Sequence, residues 1–357
     1  MNEVSRKDVE ESRRSELKKS KPLVYEKIMK YNEKEARGES IAIIDLVYDY
    51  ICNMRCQHCS AAKIEKKSRV MTVNDVHNIA LQADALGLAQ FNLNGGEPLI
   101  FKEIDEVIQA LMPEKFHLCM STNGFFLDLE RAKHLKSIGL DKVKISVDSI
   151  NEETHNRNRS NNQSYQKSIN ALFAAKEAGL QVVMQHVITH QTAQSEELVK
   201  LCEFGEKHGF ALDMLVARAV GEWEGREDIL IDEEDAKALR ALHDRFPFAW
   251  RDVFPHYGVL QGCGSVSHNL HITKYGDVFP CVFLQIAIGN VFEESLKDII
   301  DRGFNIKHFR EFNPLCLSGE DRNFMNKYMK KCIGKPVPVD YRDIFTEEDF
   351  VDPKKML

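Results

Sequence analysis

Between residues 41 and 220, short apolar runs alternate with longer segments in which apolar residues recur every three or four positions. The short runs predict strands and the longer segments predict helices, because each spacing places apolar side chains on one face. The predicted strands are Ile41–Tyr48, Gln90–Asn94, Phe116–Ser121, Lys142–Val147, Gln181–Ile188 and Ala211–Ala217. Six β-then-α units in a row imply a parallel sheet with helices on its outer face. A closed eight-stranded barrel needs two more units, so the pattern predicts an α/β fold with a partial (β/α)6 barrel.

Local signals mark several helix ends. Residues 72–75 resemble a capping box, which predicts the start of a helix. Gly139 and Gly179 fall where two helices are expected to end. The helix that begins at this capping box has an apolar stripe formed by Val76, Ile79, Ala80 and Ala83.

The pattern changes on both sides of the barrel. Residues 1–40 are dense in Lys, Arg and Glu, which predicts a charged helical extension. A strand-like run at 269–273, followed by the turn at 274–277, predicts a β-hairpin in a second, small α+β domain. The other expected boundaries are 41–222 for the barrel, 223–256 for a linker with a helix over Glu233–Arg245, 257–340 for the small domain and 341–357 for a C-terminal tail.

Composition narrows the class of protein. The chain has 357 residues, 43% of them hydrophobic and 29% charged, with a formal net charge of −7. This charge argues against nucleic acid as a partner, because phosphate binding needs clustered Lys and Arg. The sequence contains no apolar run of about 18 residues and no apolar core of a signal peptide. Nine cysteines in such a chain indicate metal binding rather than disulfides, and we expect a cytoplasmic protein with no membrane partner.

Three of these cysteines follow the first predicted strand directly. Cys52, Cys56 and Cys59 have the spacing Cys-x3-Cys-x2-Cys. Three thiolates this close can hold three irons of a four-iron, four-sulfur cube and leave the fourth iron without a protein ligand. A zinc site completed by His58 is the alternative, although zinc sites usually combine two separated cysteine pairs.

A second motif, Gly95-Gly96-Glu97-Pro98, ends the second strand. The glycines let the backbone approach a ligand closely, and the carboxylate can accept hydrogen bonds from an ammonium group. A tight strand-to-helix turn is the alternative. On the fourth strand, Lys144, Ser146 and Asp148 alternate with Val143, Ile145 and Val147, so we expect the polar set to face the barrel interior.

Together these motifs resemble the radical S-adenosylmethionine (SAM) superfamily. The resemblance implies a [4Fe-4S] cluster bound by Cys52, Cys56 and Cys59, and SAM bound to its open iron. It implies reductive cleavage of SAM to a 5′-deoxyadenosyl radical, which abstracts hydrogen from a C–H bond, and a flavodoxin- or ferredoxin-type reductant. The cofactor-binding residues that it implies are Gly95, Gly96, Glu97, Ser121, Asn123, Ser146, Asp148, Gln185, Val187 and Arg218. Asp148 could instead cap the next helix, and Arg218 could form a surface ion pair.

The hairpin region carries further cysteines. Cys263 and Cys281 flank the hairpin as Cys-x12-Gly-x4-Cys, which resembles the auxiliary-cluster module of the SPASM and twitch branches. Because only Cys316 and Cys332 remain downstream, the shorter twitch form is the better match. It implies a second [4Fe-4S] cluster held by all four thiolates. A four-cysteine zinc knot is the alternative. If Cys316 is not a ligand, it could donate a hydrogen atom or leave an iron open to substrate.

The last two cysteines lie inside predicted elements. Cys202 belongs to an apolar helix face and is expected in the core. Cys119 shares a strand face with Ser121, so it is a weaker candidate for a catalytic residue in the barrel interior, against a buried apolar role.

The substrate is the least determined part of the sequence. A small polar natural-product intermediate, such as a sugar or cyclitol undergoing dehydrogenation or epimerisation, is the favoured substrate. Many peptide-modifying relatives carry an N-terminal recognition domain of about 80 residues, and the 40-residue extension is too short for one. A peptide maturase that epimerises or crosslinks is the alternative. A non-catalytic iron–sulfur electron carrier would have no use for the Gly-Gly-Glu motif.

Overall fold

A computed structural model describes residues 6–251, 253–254 and 262–355. The strands are β1 Ile43–Val47, β2 Gln90–Asn94, β3 His117–Thr122, β4 Lys142–Ser146, β5 Gln181–Ile188, β6 Ala211–Val216, β7 Ala249–Trp250, β8 Asn269–Ile272, β9 Asp277–Phe279, β10 Ile286–Ala287, β11 Gly289–Asn290 and β12 Val339–Asp340. The helices are α1 Arg6–Ser20, α2 Pro22–Met29, α3 Tyr31–Ala36, α4 Val73–Ala85, α5 Ile104–Ala110, α6 Leu129–Ser137, α7 Glu152–Arg159, α8 Ser164–Glu177, α9 Glu196–His208, α10 Glu233–Arg245, α11 Leu296–Asn305, α12 Lys307–Arg310, α13 Arg322–Lys327 and α14 Tyr341–Ile344.

The six predicted strands form a parallel sheet in chain order, β1 to β6, with helices between them. The prediction of a partial (β/α)6 barrel is therefore confirmed. Four strands differ from their predicted ends by one or two residues. Ile41, for example, lies before β1 because its N–H bonds to the carbonyl of Ser267 instead of joining the ladder of the sheet.

The predicted hairpin also forms, but it continues the sheet of the barrel. Strand β8 pairs in parallel with β1, and β9 pairs antiparallel with β8. Strand β7 extends the opposite edge beyond β6. The small domain predicted over 257–340 thus shares the barrel's sheet within the described residues, because the edge of β1 offers unpaired backbone groups to β8.

The signals for helix ends match the structure. Thr72 and Asp75 form a capping box before α4, and the predicted stripe on α4 is buried. Gly139 and Gly179 follow the last residues of α6 and α8 with φ angles of 107° and 79°. The predicted helix over Glu233–Arg245 is α10.

The N-terminal extension packs against the amino ends of the barrel strands. Lys21 Nζ bonds to the Phe116 carbonyl at 2.9 Å and pairs with Asp141. Val24 and Ile28 are buried against the same end of the sheet, whereas the predicted solvated face is exposed. These helices therefore lie opposite the carboxyl ends of β1–β6, which we call the barrel mouth.

The segment predicted as a C-terminal tail packs into the core instead. Phe345 and Phe350 are buried, and the Val351 N–H bonds to the Asn305 carbonyl at 2.8 Å. Phe345 packs against Phe309 of α12 and against Tyr328, which follows α13, and Phe350 packs against Tyr341. Within the described residues, no helix is long and apolar enough to cross a membrane.

Candidate functional site

The three clustered cysteines lie on the loop between β1 and α4, at the barrel mouth. The Cys59 N–H bonds to the Cys56 carbonyl at 3.2 Å, and the Met54 N–H approaches Cys52 Sγ at 3.4 Å. Cys52 is exposed, while Cys56 and Cys59 are half-buried. Burial raises the pKa of all three thiols, so they gain most from ligands that bear positive charge.

The three thiols are spaced more widely than the ligands of a tetrahedral zinc ion. Across residues 6–251, 253–254 and 262–355, one set of three His, Cys, Asp or Glu side chains has all ligand atoms within 4.8 Å. In that set, Asp232 and Asp235 form the capping box of α10, and His190 bonds to Asp235. Tetrahedral zinc with bonds of about 2.3 Å would hold thiolates about 4 Å apart. The thiols of Cys52, Cys56 and Cys59 are not such a set within the described residues, and the His58 ring lies 5.6 Å from the ring of Trp223.

The Gly-Gly-Glu motif runs against the cysteine loop. A Cβ atom on Gly96 would lie 2.1 Å from the Ile51 carbonyl oxygen, and one on Gly95 would lie 2.3 Å from that of Asp49. The Glu97 N–H bonds to the Ile51 carbonyl at 2.8 Å. The glycines therefore serve the contact between two backbones, which the alternative of a simple turn does not explain.

Glu97 links the ends of two strands. Its carboxylate is fully buried and accepts bonds from the Thr122 hydroxyl at 2.6 Å and the Asn123 N–H at 2.7 Å. Burial raises the pKa of Glu97 to about 6. Asn123 in turn donates through Nδ2 to Asn53 Oδ1 at 2.9 Å, which connects this end of β3 to the cysteine loop. Asn53 Nδ2 is buried without a partner among the described residues and is available to a ligand.

Asp148 is held by an arginine that the sequence reasoning missed. It accepts two bonds from Arg159, at 2.7 and 2.5 Å, and Arg159 Nη1 also reaches Cys56 Sγ at 3.7 Å. The alternative that Asp148 caps the next helix is wrong, because Asn151 caps α7. Burial opposes the charge of Asp148, but Arg159 outweighs this and holds the pKa of Asp148 well below its usual range. An arginine in the last turn of the helix after β4 was the available signal.

The inner face of the sheet is polar, as predicted. Val143, Ile145 and Val147 are fully buried against helices, whereas Lys144 and Ser146 are half-buried on the opposite face of β4. The neighbouring strands place the remaining predicted residues on this inner face, with Ser121 beside Lys144, Gln185 beside Ser146, and Val187 two residues further along β5. Their roles toward SAM remain predictions.

In the C-terminal region, three of the four predicted ligands lie together. Burial and the neighbouring thiol of Cys316 raise the pKa of Cys263 to about 11. Burial also raises the pKa of Cys281, and both other thiols add to it. The charged groups that act on the Cys332 thiol are Lys335, Glu224 and Lys331, and no other cysteine of the described residues is among them. Cys332 lies in a short turn and lines a largely apolar cavity together with Phe283, Met325 and Met329.

Arg218 connects the barrel to these cysteines. It is buried at the end of β6, and its Nη2 donates to Cys316 Sγ at 3.2 Å. Its guanidinium also lies 4.4 Å from the centre of the Phe283 ring. Arg218 is therefore not a surface residue, as the alternative required.

The two remaining cysteines are fully or almost fully buried. Cys202 packs in the main apolar core, as expected. Cys119 lies on the inner face of β3, beside Lys142 on β4, and is 0% exposed. Burial raises its pKa, which keeps the thiol protonated.

Comparison with known proteins agrees with this geometry. Residues 47–202 match the family model of the radical SAM superfamily, and residues 263–333 match that of an iron-sulfur cluster-binding domain, SPASM. The chain belongs to the radical SAM superfamily. The first domain implies a [4Fe-4S] cluster with SAM, and the second implies a further iron–sulfur cluster, as predicted.

Individual relatives divide into two groups. The chain is 30% identical to a GTP 3′,8-cyclase of Corynebacterium glutamicum strain R over 65% of this chain and 70% of the relative. It is 27% identical to a probable GTP 3′,8-cyclase of Methanosarcina acetivorans over 70% of this chain and 80% of the relative. Among solved structures, Streptococcus suis SuiB bound to SAM has a TM-score of 0.60 at 16% identity, with 75% and 68% of the chains covered. The structure of anSMEcpe with bound AdoMet has a TM-score of 0.58 at 19% identity, with 73% and 80% covered. These two structures share the fold.

Proposed function

We propose that this enzyme abstracts a hydrogen atom from a C–H bond of a small, hydroxyl-rich substrate, a sugar or a cyclitol, and dehydrogenates or epimerises it. The observation that supports this proposal is the polar inner face of the barrel, which opens toward the loop of Cys52, Cys56 and Cys59. Parallel barrels are ordinarily filled by branched apolar side chains. Polar groups on this face are best explained by a polar molecule that enters the barrel.

Different residues at the barrel mouth bind the cluster and SAM in this proposal. Cys52, Cys56 and Cys59 hold the [4Fe-4S] cluster, which supplies the electron that cleaves SAM when both are bound. The backbone at Gly95 and the carboxylate of Glu97 receive the amino group of SAM. The further residues that we assign to SAM are Gly96, Ser121, Asn123, Ser146, Asp148, Gln185, Val187 and Arg218.

The C-terminal cysteines hold the auxiliary cluster. Cys263, Cys281 and Cys316 are its ligands in this proposal, and Arg218 lies between them and the barrel. When bound there, such a cluster would be able to accept an electron from the product or to orient the substrate. A flavodoxin- or ferredoxin-type protein supplies the reducing electron.

A peptide substrate is less well supported. The helices α1–α3 pack at the amino ends of the strands, opposite the barrel mouth. They therefore offer no recognition surface beside the cysteines. The peptide-modifying neighbours share the fold at 16–19% identity. This degree of similarity supports no inference about the substrate of this chain.

GTP is the second candidate substrate. The observation that favours it is the name of the relatives at 24–30% identity, GTP 3′,8-cyclase. The inner face offers two carboxylates, Asp45 and Asp213, which repel a triphosphate at that depth. A nucleotide would have to place its phosphates closer to Arg218.

Anaerobic turnover of the reconstituted protein with SAM and dithionite tests the proposal. We expect 5′-deoxyadenosine to form, and its rate to rise with a sugar or cyclitol but not with GTP or a peptide. Deuterium should move from the labelled substrate into 5′-deoxyadenosine. Cys56→Ala should abolish release. Stimulation by GTP alone would establish the second candidate, and no release under any condition would indicate an electron carrier.

A further inference from the structure

Six polar side chains lie on the inner face of the barrel, either beside the residues assigned to SAM or closer to the amino ends of the strands. They come from five of the six barrel strands, and we call them the lumen cluster: Asp45, Asn92, Asn94, Lys144, Gln185 and Asp213. Only Gln185 also belongs to the predicted SAM set. Three of the six are ionisable, which is unusual for a barrel interior and calls for a physical reason.

The hydrogen bonds within the lumen cluster leave acceptors and donors unused. Lys144 Nζ donates to Asp213 Oδ2 at 2.8 Å, and Gln185 Nε2 approaches the same oxygen at 3.4 Å. Asp45 Oδ1 accepts from the amides of Asn92 at 2.9 Å and Asn94 at 2.8 Å. Among the residues that the structure describes, each carboxylate thus bonds through one oxygen and keeps the other available to a ligand.

Two members of the lumen cluster are partly exposed. The side chains of Lys144 and Asp213 are 22% and 16% exposed, so their ion pair is not sealed. Burial raises the pKa of Asp45, and amide donors only partly offset this. A hydrogen-bonding ligand would relieve the remaining desolvation of the Asp45 carboxylate.

A buried histidine on the same face adds an independent observation. In the register of the two strands, His271 of β8 lies next to Asp45 of β1. The flanking residues Leu270 and Ile272 belong to the apolar core on the other side of the sheet. His271 is 4% exposed, and its Nδ1 has no partner in the described part of the chain. Burial lowers the pKa of His271 to about 3, which keeps the ring neutral. Its free nitrogen can therefore exchange one hydrogen bond with a neutral group.

The hydrogen-bond donors and acceptors of the lumen cluster are complementary to adjacent hydroxyl groups of a ligand. A hydroxyl donates one hydrogen bond and accepts others, whereas a phosphate only accepts and is repelled by carboxylates. We propose that the lumen cluster binds adjacent hydroxyl groups of a ring polyol, with Asp45 and Asp213 accepting and Lys144 donating. Asp45, Lys144 and Asp213 thereby determine specificity. This inference rests on the proposed function and names the residues that select its substrate.

Calorimetric titration of the reconstituted, SAM-bound protein tests the inference. The probes are myo-inositol and glucose, with cyclohexanol as a ring that lacks adjacent hydroxyls. We expect the wild type to bind at least one polyol more tightly than cyclohexanol. Asp213→Asn and Lys144→Met should each weaken polyol binding about tenfold, because one charged partner is lost. Lys142→Met is the matched control, since Lys142 lies two residues earlier on the same strand face, and it should bind as the wild type does.

The outcomes separate the inference from the proposed function. Far-UV circular dichroism and SAM affinity show whether Asp213→Asn is folded, and Lys144→Arg should restore part of the binding that Lys144→Met loses. If folded variants bind polyols as tightly as the wild type, the inference is wrong while the proposed function stands. If the wild type binds neither polyol and neither increases 5′-deoxyadenosine release, the proposed function fails and the inference with it.

Discussion

Arg159 joins two parts of the site through one guanidinium. It forms a paired contact with Asp148 at the end of β4 and reaches Cys56 Sγ on the cysteine loop. Both charged side chains are almost completely buried. Planar guanidinium groups suit this dual role, because their donors diverge in fixed directions.

Removing this guanidinium should therefore affect stability and metal content together. Arg159→Gln leaves the Asp148 carboxylate buried and unpaired, which we expect to cost about 3–5 kcal/mol in the free energy of unfolding. Urea unfolding and iron analysis measure both effects. Arg157→Gln is the matched control, since Arg157 is exposed on the same helix, and it should change stability by less than about 0.5 kcal/mol. Equal effects of the two substitutions would contradict the role of Arg159.

The surroundings of Cys332 also differ from those of the other C-terminal cysteines. Cys332 lines a largely apolar cavity, whereas Cys316 lies beside Cys263 and Cys281. Sequence spacing could not distinguish these two cysteines, because a ligand is defined by proximity in space and not along the chain.

Iron content after reconstitution distinguishes the two cysteines. We expect about eight irons per chain in the wild type if both clusters are complete. Cys332→Ala should keep this number, while Cys316→Ala should reduce it to about four. A loss of iron in Cys332→Ala would show that all four cysteines are ligands, as the spacing first predicted.

At the scale of elements, the loop after β2 is fitted to the loop after β1. Gly96 brings its backbone against Ile51, one residue before Cys52, and backbone bonds fix the contact. The carboxyl ends of neighbouring parallel strands meet at one edge of a sheet, so these loops are adjacent in any such barrel. The glycines allow the two backbones to approach each other closely, because they carry no side chain.

A single methyl group should disturb this contact. Gly96→Ala places a Cβ atom 2.1 Å from the Ile51 carbonyl oxygen, and we expect the protein to lose at least about 2 kcal/mol of stability and to bind less iron. Gly38→Ala serves as the control, because nothing lies within 4 Å of its Cβ position. Its positive φ angle should cost only about 1 kcal/mol. Denaturant unfolding with iron analysis would contradict this expectation if both alanine variants behave alike.

At the scale of the whole molecule, the N-terminal helices and the C-terminal segment both pack against the rest of the structure. The N-terminal helices cover the amino ends of the strands, and Phe345 of the C-terminal segment packs against α12 and Tyr328. Asp349 fastens the latter segment by accepting bonds from the Tyr328 hydroxyl and from His308. Although partial burial opposes its charge, backbone and side-chain donors lower the pKa of Asp349 to about 2.

This lowered pKa predicts a pH dependence of stability. A carboxyl whose pKa is lower in the folded state stabilises the protein above its unfolded value of about 3.9, and this contribution disappears as the pH falls toward 2. Asp349→Asn should therefore be less stable than the wild type at neutral pH, and the difference should shrink between about pH 4 and pH 2. Thermal unfolding across this range measures it. A difference that is independent of pH would contradict the assignment.

The sequence predicted much of the fold because local patterns encode it. The six strands, the capping box at Thr72 and the helix α10 all follow from spacing and from side-chain chemistry within a few residues. The parallel pairing of β8 with β1 could not be predicted, because 220 or more residues separate the paired positions, as for Ile44 and Leu270. Nothing in either segment alone specifies such a partner.

By itself, the sequence determined the (β/α)6 barrel, the cysteine loop with its [4Fe-4S] cluster and SAM, and the auxiliary iron–sulfur region, since each depends on motifs of short spacing. Only the tertiary structure decided which side chains meet: Arg159 with Cys56, Arg218 with Cys316, and Lys144 with Asp213. Each of these contacts joins separate elements, and its energy depends on burial and distance, which are properties of the folded chain.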